Sequence, residues 1–108
     1  MNDWPQEISG EEVAPLLAEG AIQLIDCREE DEWAICRIDG SILIPMDSVP
    51  DRLEEISREI PVVVHCHHGM RSARVCNYLR QRGYGKVANL RGGIDAWSRE
   101  VDPSVRRY

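Results

Sequence analysis

Between Pro61 and Ala73 the chain runs through three valines, a histidine and a cysteine into His-His-Gly-Met-Arg-Ser-Ala. A short β-branched run bounded by proline reads as a buried parallel strand. The residues after the loop, Val75, Cys76 and Leu79, share one helical face by their three- and four-residue spacing. Strand, short loop and helix in that order constrain the chain to an α/β arrangement, with Ser72 as the expected helix cap. Cys66 then stands at the carboxyl end of a strand, just before a helix amino terminus. Unpaired backbone N–H groups converge there, and they both bind anions and favour a thiolate.

The rest of the sequence repeats the alternation. Ser9 with Glu12 is a capping-box pattern for a helix carrying Val13, Leu16 and Leu17 that stops at Gly20, with Pro15 early enough to be tolerated. Strands are expected at Ile22 to Ile25, Ser41 to Ile44 and Val87 to Leu90, and helical stretches at Glu29 to Ile35 and Val49 to Ile56. A final helix with Ile94 and Trp97 opens at Gly92-Gly93. The expected architecture is a central, mainly parallel five-stranded sheet with helices on both faces. Its 108 residues suffice for one domain, 1–108, with a core of about 9–105. In such sheets ligands bind beyond the carboxyl ends of the strands.

No apolar run approaches the length of a membrane span, and no basic-then-apolar leader opens the chain, so the expected location is cytoplasmic and the expected partners include no membrane. The net charge of −6 argues against nucleic acid. Sixteen acids face only four arginines up to Ile60, whereas Pro61 to Ile94 holds six cations and no acid. A small anion is drawn to that segment if the fold gathers its cations; otherwise arginines such as Arg80 and Arg82 simply coat a helix.

Cys66 to Arg71 encloses four residues. Gly69 lets the backbone turn its N–H groups inward, Arg71 adds a cation, and His67 and His68 are donors expected to be partly protonated near neutrality. Cysteine phosphatases use a longer loop to cradle a whole phosphate; the shorter ring suits a terminal sulfur. The matching reaction is attack of the Cys66 thiolate on a sulfane sulfur, giving a persulfide that a second thiol or cyanide discharges. His65, Cys66, His67 and His68 are of metal-ligand type, but four consecutive residues do not converge on one tetrahedral centre, so no metal is expected. His65 reads as a hydrogen-bonded core histidine, Cys27 and Cys76 as core filling, and Asp26 with Arg28 as structural. Cys36 is the candidate second, resolving thiol, although an isolated extra cysteine is more often passive.

Leu24-Ile25-Asp26-Cys27-Arg28-Glu29 with Glu32-Trp33, Ile38 to Pro45, Cys66-His67-His68-Gly69-Met70-Arg71-Ser72, and Leu90-Arg91-Gly92-Gly93-Ile94-Asp95-Ala96-Trp97 form four ordered motifs over nearly the whole chain. Together they resemble the rhodanese family of sulfurtransferases in its single-domain form. The resemblance implies that Cys66 carries the persulfide, that His67, His68, Gly69, Met70, Arg71 and Ser72 build the substrate pocket, and that no cofactor is needed. It further implies a small anionic donor, thiosulfate or a persulfide or polysulfide, and a thiol acceptor that is a small molecule or a protein. Cys36-Arg37 stand where the family often has glycine and histidine, and Cys27 where it often has valine. The competing readings are a regulatory or adaptor module of the same fold and a cysteine-dependent phosphatase or arsenate reductase.

Overall fold

The computed structural model describes residues 4–108. Ser9 accepts from the Glu12 amide at 3.2 Å while the Glu12 carboxylate reaches back to the Ser9 amide, and this capping box opens α1, Gly10–Ala18. Such a cap is worth about 1 kcal/mol. Pro15 lies in the second turn of α1, where it removes one helical donor. Helix α2 is Glu30–Ile35, α3 is Met70–Gln81 and α4 is Gly93–Glu100, and the helical stretch expected around Val49 to Ile56 is a run of 3-10 turns over Met46–Glu55. Pro50 and a break at Arg52 prevent regular α-helical bonding there.

The strands are β1 (Glu7–Ile8), β2 (Gln23–Asp26), β3 (Ile42–Leu43), β4 (Val62–His65) and β5 (Val87–Leu90). All pair in parallel, in the order β1-β5-β4-β2-β3. The mainly parallel sheet expected is thus wholly parallel. Two-residue β1, beside β5 at the edge, is too short to show a periodic signal in the sequence.

Alternation along the central strands sorts the core into two layers. Ile25, Val62, Val64, Val75, Cys76 and Leu79 pack on one face beneath α3 and the 3-10 turns. Leu24, Val63, Ala88, Leu90, Ile94 and Trp97 pack on the other, with Val13 of α1. All four residues of β4 are buried, as a strand covered on both faces requires. Among the described residues, no helix is long and apolar enough to cross a membrane.

Candidate active site

Cys66 directly follows β4, the middle strand of five. Helix α3 begins at Met70, not at Ser72 as the sequence suggests. Gly69 occupies the cap position at φ 115°, a left-handed conformation that glycine reaches without steric cost. The chain therefore turns within four residues. Freed from capping, Ser72 is buried and sends its hydroxyl inward.

The loop carbonyls are held away from the sulfur. Ile94 N–H donates to the Cys66 carbonyl at 2.9 Å and Asp95 N–H to that of His67 at 3.1 Å, both from the first turn of α4. Asn89 Nδ2 donates to the Gly69 carbonyl at 2.9 Å. A Cβ on Gly93 would meet the His67 and Cys66 carbonyl oxygens at 2.4 and 2.6 Å, which explains the glycine. With carbonyls turned outward, amides are left to face inward. Gly69 N–H donates to Cys66 Sγ at 3.1 Å and Ser72 N–H at 3.4 Å, and the Ser72 hydroxyl lies 3.3 Å away.

A further influence comes from Cys27, directly after β2 and opposite Cys66 across the β2–β4 ladder. Its thiol is the largest influence lowering the Cys66 pKa to about 4; the Ser72 hydroxyl and the Ser72 and Gly69 amides follow, against the opposing effect of burial. The same contact, with burial, raises the Cys27 pKa. One sulfur is anionic and its neighbour keeps the proton. Cys27 is fully buried, as expected of a core residue, yet its position against Cys66 makes it part of the site. Cys36 does not take that place: it packs in the other core layer, its Sγ 3.8 Å from Arg28 Nη1.

Cys66 is 1% exposed but lines a pocket of about 180 Å³ with His67, His68, Met70 and Arg71. A larger cavity of about 230 Å³ lies at the amino ends of β4 and β5, between Ser57 and Lys86, and is lined by no cysteine. Met70 is 81% exposed at the rim. Arg71 binds Glu32 through two bonds of 2.6 and 2.9 Å, which hold Glu32 at about 2 and Arg71 charged. Its cation is thus matched by an anion rather than aimed at the sulfur. Arg91 likewise meets Glu7 at 3.6 Å, so the basic segment is partly neutralised by acids from elsewhere in the fold.

His67 stacks between His68, at 4.0 Å, and Tyr108, at 3.9 Å. Burial and the neighbouring His68 lower its pKa and so favour the neutral ring. The Tyr108 hydroxyl donates to Glu32 at 2.7 Å and accepts from Arg28 at 3.0 Å. Ring nitrogens of His67 and His68 and an Asp95 carboxylate oxygen lie within 4.8 Å of one another, a ligand-type group that the sequence spacing did not reveal. The Asp95 carboxylate is already engaged by Arg99 and Arg107 at 3.2 and 3.0 Å.

Behind the loop, Arg28 is fully buried on Asp26, with a shortest contact of 2.7 Å, and also donates to the Cys36 carbonyl at 2.7 Å. This pair is structural, as expected: it ties the end of β2 to the segment after α2. His65 is fully buried, but among the described residues Nε2 has no hydrogen-bond partner, an Asp26 carboxylate oxygen lying 3.7 Å away. Burial lowers its pKa and keeps it neutral, which makes that distance tolerable.

Comparison with known proteins agrees with this architecture. Residues 9–100 match the rhodanese-like domain family. The chain belongs to the rhodanese family. A sulfurtransferase of Allochromatium vinosum is 42% identical over 100 residues, covering 92% of this chain and 94% of that protein. A thiosulfate sulfurtransferase, GlpE, of Tolumonas auensis is 35% identical over 96 residues, covering 89% and 90%. The crystal structure of a rhodanese-like domain protein from Staphylococcus aureus superposes with a TM-score of 0.81 at 31% identity, covering 96% of this chain and 99% of that one. These matches place the rhodanese domain described here among sulfurtransferases.

The sequence alone missed Asn89, Glu32, Tyr108 and the site role of Cys27. Asn89 was legible only as a polar residue inside an apolar strand, Val87–Leu90, a signal that a buried partner is required.

Proposed function

We propose that this rhodanese domain transfers a sulfane sulfur from thiosulfate, or a related persulfide or polysulfide, to a thiophilic acceptor through a persulfide on Cys66. The supporting observation is the surroundings of one sulfur: two backbone amides that donate to it, the Ser72 hydroxyl at 3.3 Å and the Cys27 thiol across the sheet, with no carboxylate among them. Donors so placed stabilise the attacking thiolate and give its product anion a neighbouring field of N–H dipoles. Attack on thiosulfate joins Cys66 Sγ to the terminal sulfur and expels sulfite. Cyanide or a thiol then takes the outer sulfur and returns the thiolate.

The pocket volume of about 180 Å³ suits a small anion, and the exposed Met70 at its rim offers an apolar contact for a larger thiol carrier. The same thiolate serves a phosphatase in principle, but the four-residue loop favours the sulfur chemistry. Mixing the reduced protein with thiosulfate and no acceptor is expected to release a burst of about one sulfite per Cys66. Cyanide is expected to convert this into steady thiocyanate production, and Cys66→Ser to abolish both. No sulfite burst with thiosulfate, together with turnover of an aryl phosphate, would overturn the reading.

A further inference from the structure

The parallel register pairs Asp26 with His65, and the Cys27 amide donates to the His65 carbonyl at 3.0 Å, so the β2–β4 ladder carries on to set Cys27 opposite Cys66. Adjacent strands lie about 4.8 Å apart, inside the Cα separation of about 4.4–6.8 Å that a disulfide spans. Both side chains fall in the same core layer, as opposed residues on neighbouring strands must. Cys66 lines the pocket whereas Cys27 does not. Cys27 therefore stands beside Cys66 on the interior side, and substrate approaches from the pocket.

We propose that Cys27 is a resolving thiol: it attacks the inner sulfur of the Cys66 persulfide, expels the outer sulfur as sulfide and closes a Cys27–Cys66 disulfide. This rests on the persulfide reading above and extends it to a reductive outcome. The Cys27–Cys66 sulfur bond forms and the bond between Cys66 Sγ and the outer sulfur breaks. Cys66–S–S⁻ and Cys27–SH become Cys66–S–S–Cys27 and HS⁻, the Cys27 proton leaving with the sulfide. The sulfane sulfur is reduced by two electrons and the two cysteines are oxidised. An external thiol entering through the pocket attacks Cys66 and frees Cys27, and a second thiol then displaces the mixed disulfide from Cys66, leaving as the external disulfide and restoring both cysteines.

The arrangement also orders the steps. While Cys66 is an unloaded thiolate in contact with Cys27, a second thiolate beside it is disfavoured and Cys27 keeps its proton. Loading moves the charge one atom outward, towards the pocket, and relaxes that restraint. Neither other cysteine is placed for this: Cys36 packs in the opposite layer, and Cys76 lies on α3 rather than on a neighbouring strand.

The test uses the unmodified, fully reduced protein under anaerobic conditions, treated with thiosulfate, quenched with N-ethylmaleimide and digested with trypsin. Cleavage after arginine and lysine puts each cysteine in a separate peptide, Cys27 in 1–28 and Cys66 in 59–71. The expected result is a disulfide joining these two peptides and about one equivalent of sulfide per protein. Cys27→Ser, which keeps a hydroxyl beside Cys66, is expected to load more slowly at neutral pH but, once loaded at higher pH, to hold a cyanide-labile gain of about 32 Da on Cys66 and to release no sulfide. A wild-type protein that keeps this added sulfur while Cys27 stays open to alkylation would overturn the proposal and leave the persulfide reading intact. Absence of both added sulfur and sulfite in every variant would overturn the two together.

Discussion

Cys66 and Cys76 are each 1% exposed, ten positions apart in the chain and packed in the same core layer. Their thiols nevertheless part in opposite directions, Cys66 down to about 4 and Cys76 up to about 12. Burial is common to both and raises both. At Cys76 the burial effect prevails, because on a helix face the backbone N–H groups are consumed by the helix itself. At Cys66 it is outweighed by Cys27, the Ser72 hydroxyl and the Ser72 and Gly69 amides, which gather around one sulfur. A reactive thiol is thus made by donors left over after folding, not by exposure to solvent.

The largest expression of this contrast is chemical. At pH 7 iodoacetamide is expected to alkylate Cys66 at least about 10³-fold faster than Cys76. Rates on peptides 59–71 and 75–80 measure it. Comparable rates would break the comparison.

Stability should carry the same difference with opposite pH dependence. The folded state holds Cys66 ionised from about pH 4 upwards, whereas the unfolded chain holds that proton until about pH 8.5, so stability contributed by Cys66 is lost as pH falls through the folded value. The stability difference between wild type and Cys66→Ser, from urea titrations, is expected to rise between about pH 5 and 8 with a slope approaching 1.4 kcal/mol per pH unit. Cys76 has the opposite sign: its contribution is complete below the ordinary thiol value and is lost only as pH rises towards about 12. The corresponding difference for Cys76→Ala should be flat over that window.

Single donors sharpen the account. Ser72 has one hydroxyl proton, and Cys66 Sγ at 3.3 Å competes for it with Asn89 Oδ1 at 2.5 Å. Ser72→Ala is expected to raise the apparent Cys66 pKa by about one unit, read from the pH profile of alkylation, since the amides and Cys27 remain. Arg71→Ala should move the same profile by less than about half a unit, because the arginine is already bound to Glu32. A larger shift for Arg71 than for Ser72 would mean that long-range charge, rather than direct donation, holds the thiolate.

Much of this was legible along the chain because it is local. The capping box at Ser9, the valine run of β4, the turn at Gly69 and the paired glycines before α4 each state their geometry within a few residues. Cys66 at a strand end followed from the same signals. Ser72 showed the limit of that method: it has the chemistry of a helix cap, but Gly69 takes the cap position and the serine is free to face the sulfur.

Local pattern carries the elements, their order and the nucleophile, since spacing alone says which residues share a face. It does not say which faces meet. Cys27 reads as one more apolar-face residue until β2 lies beside β4 in a register that sets it against Cys66, and Asn89, Glu32 and Tyr108 join the loop from 20, 39 and 76 positions away from the residues they bind. Strand order and register arise from packing the whole chain at once. The partners that tune one sulfur therefore emerge only when the sheet is assembled.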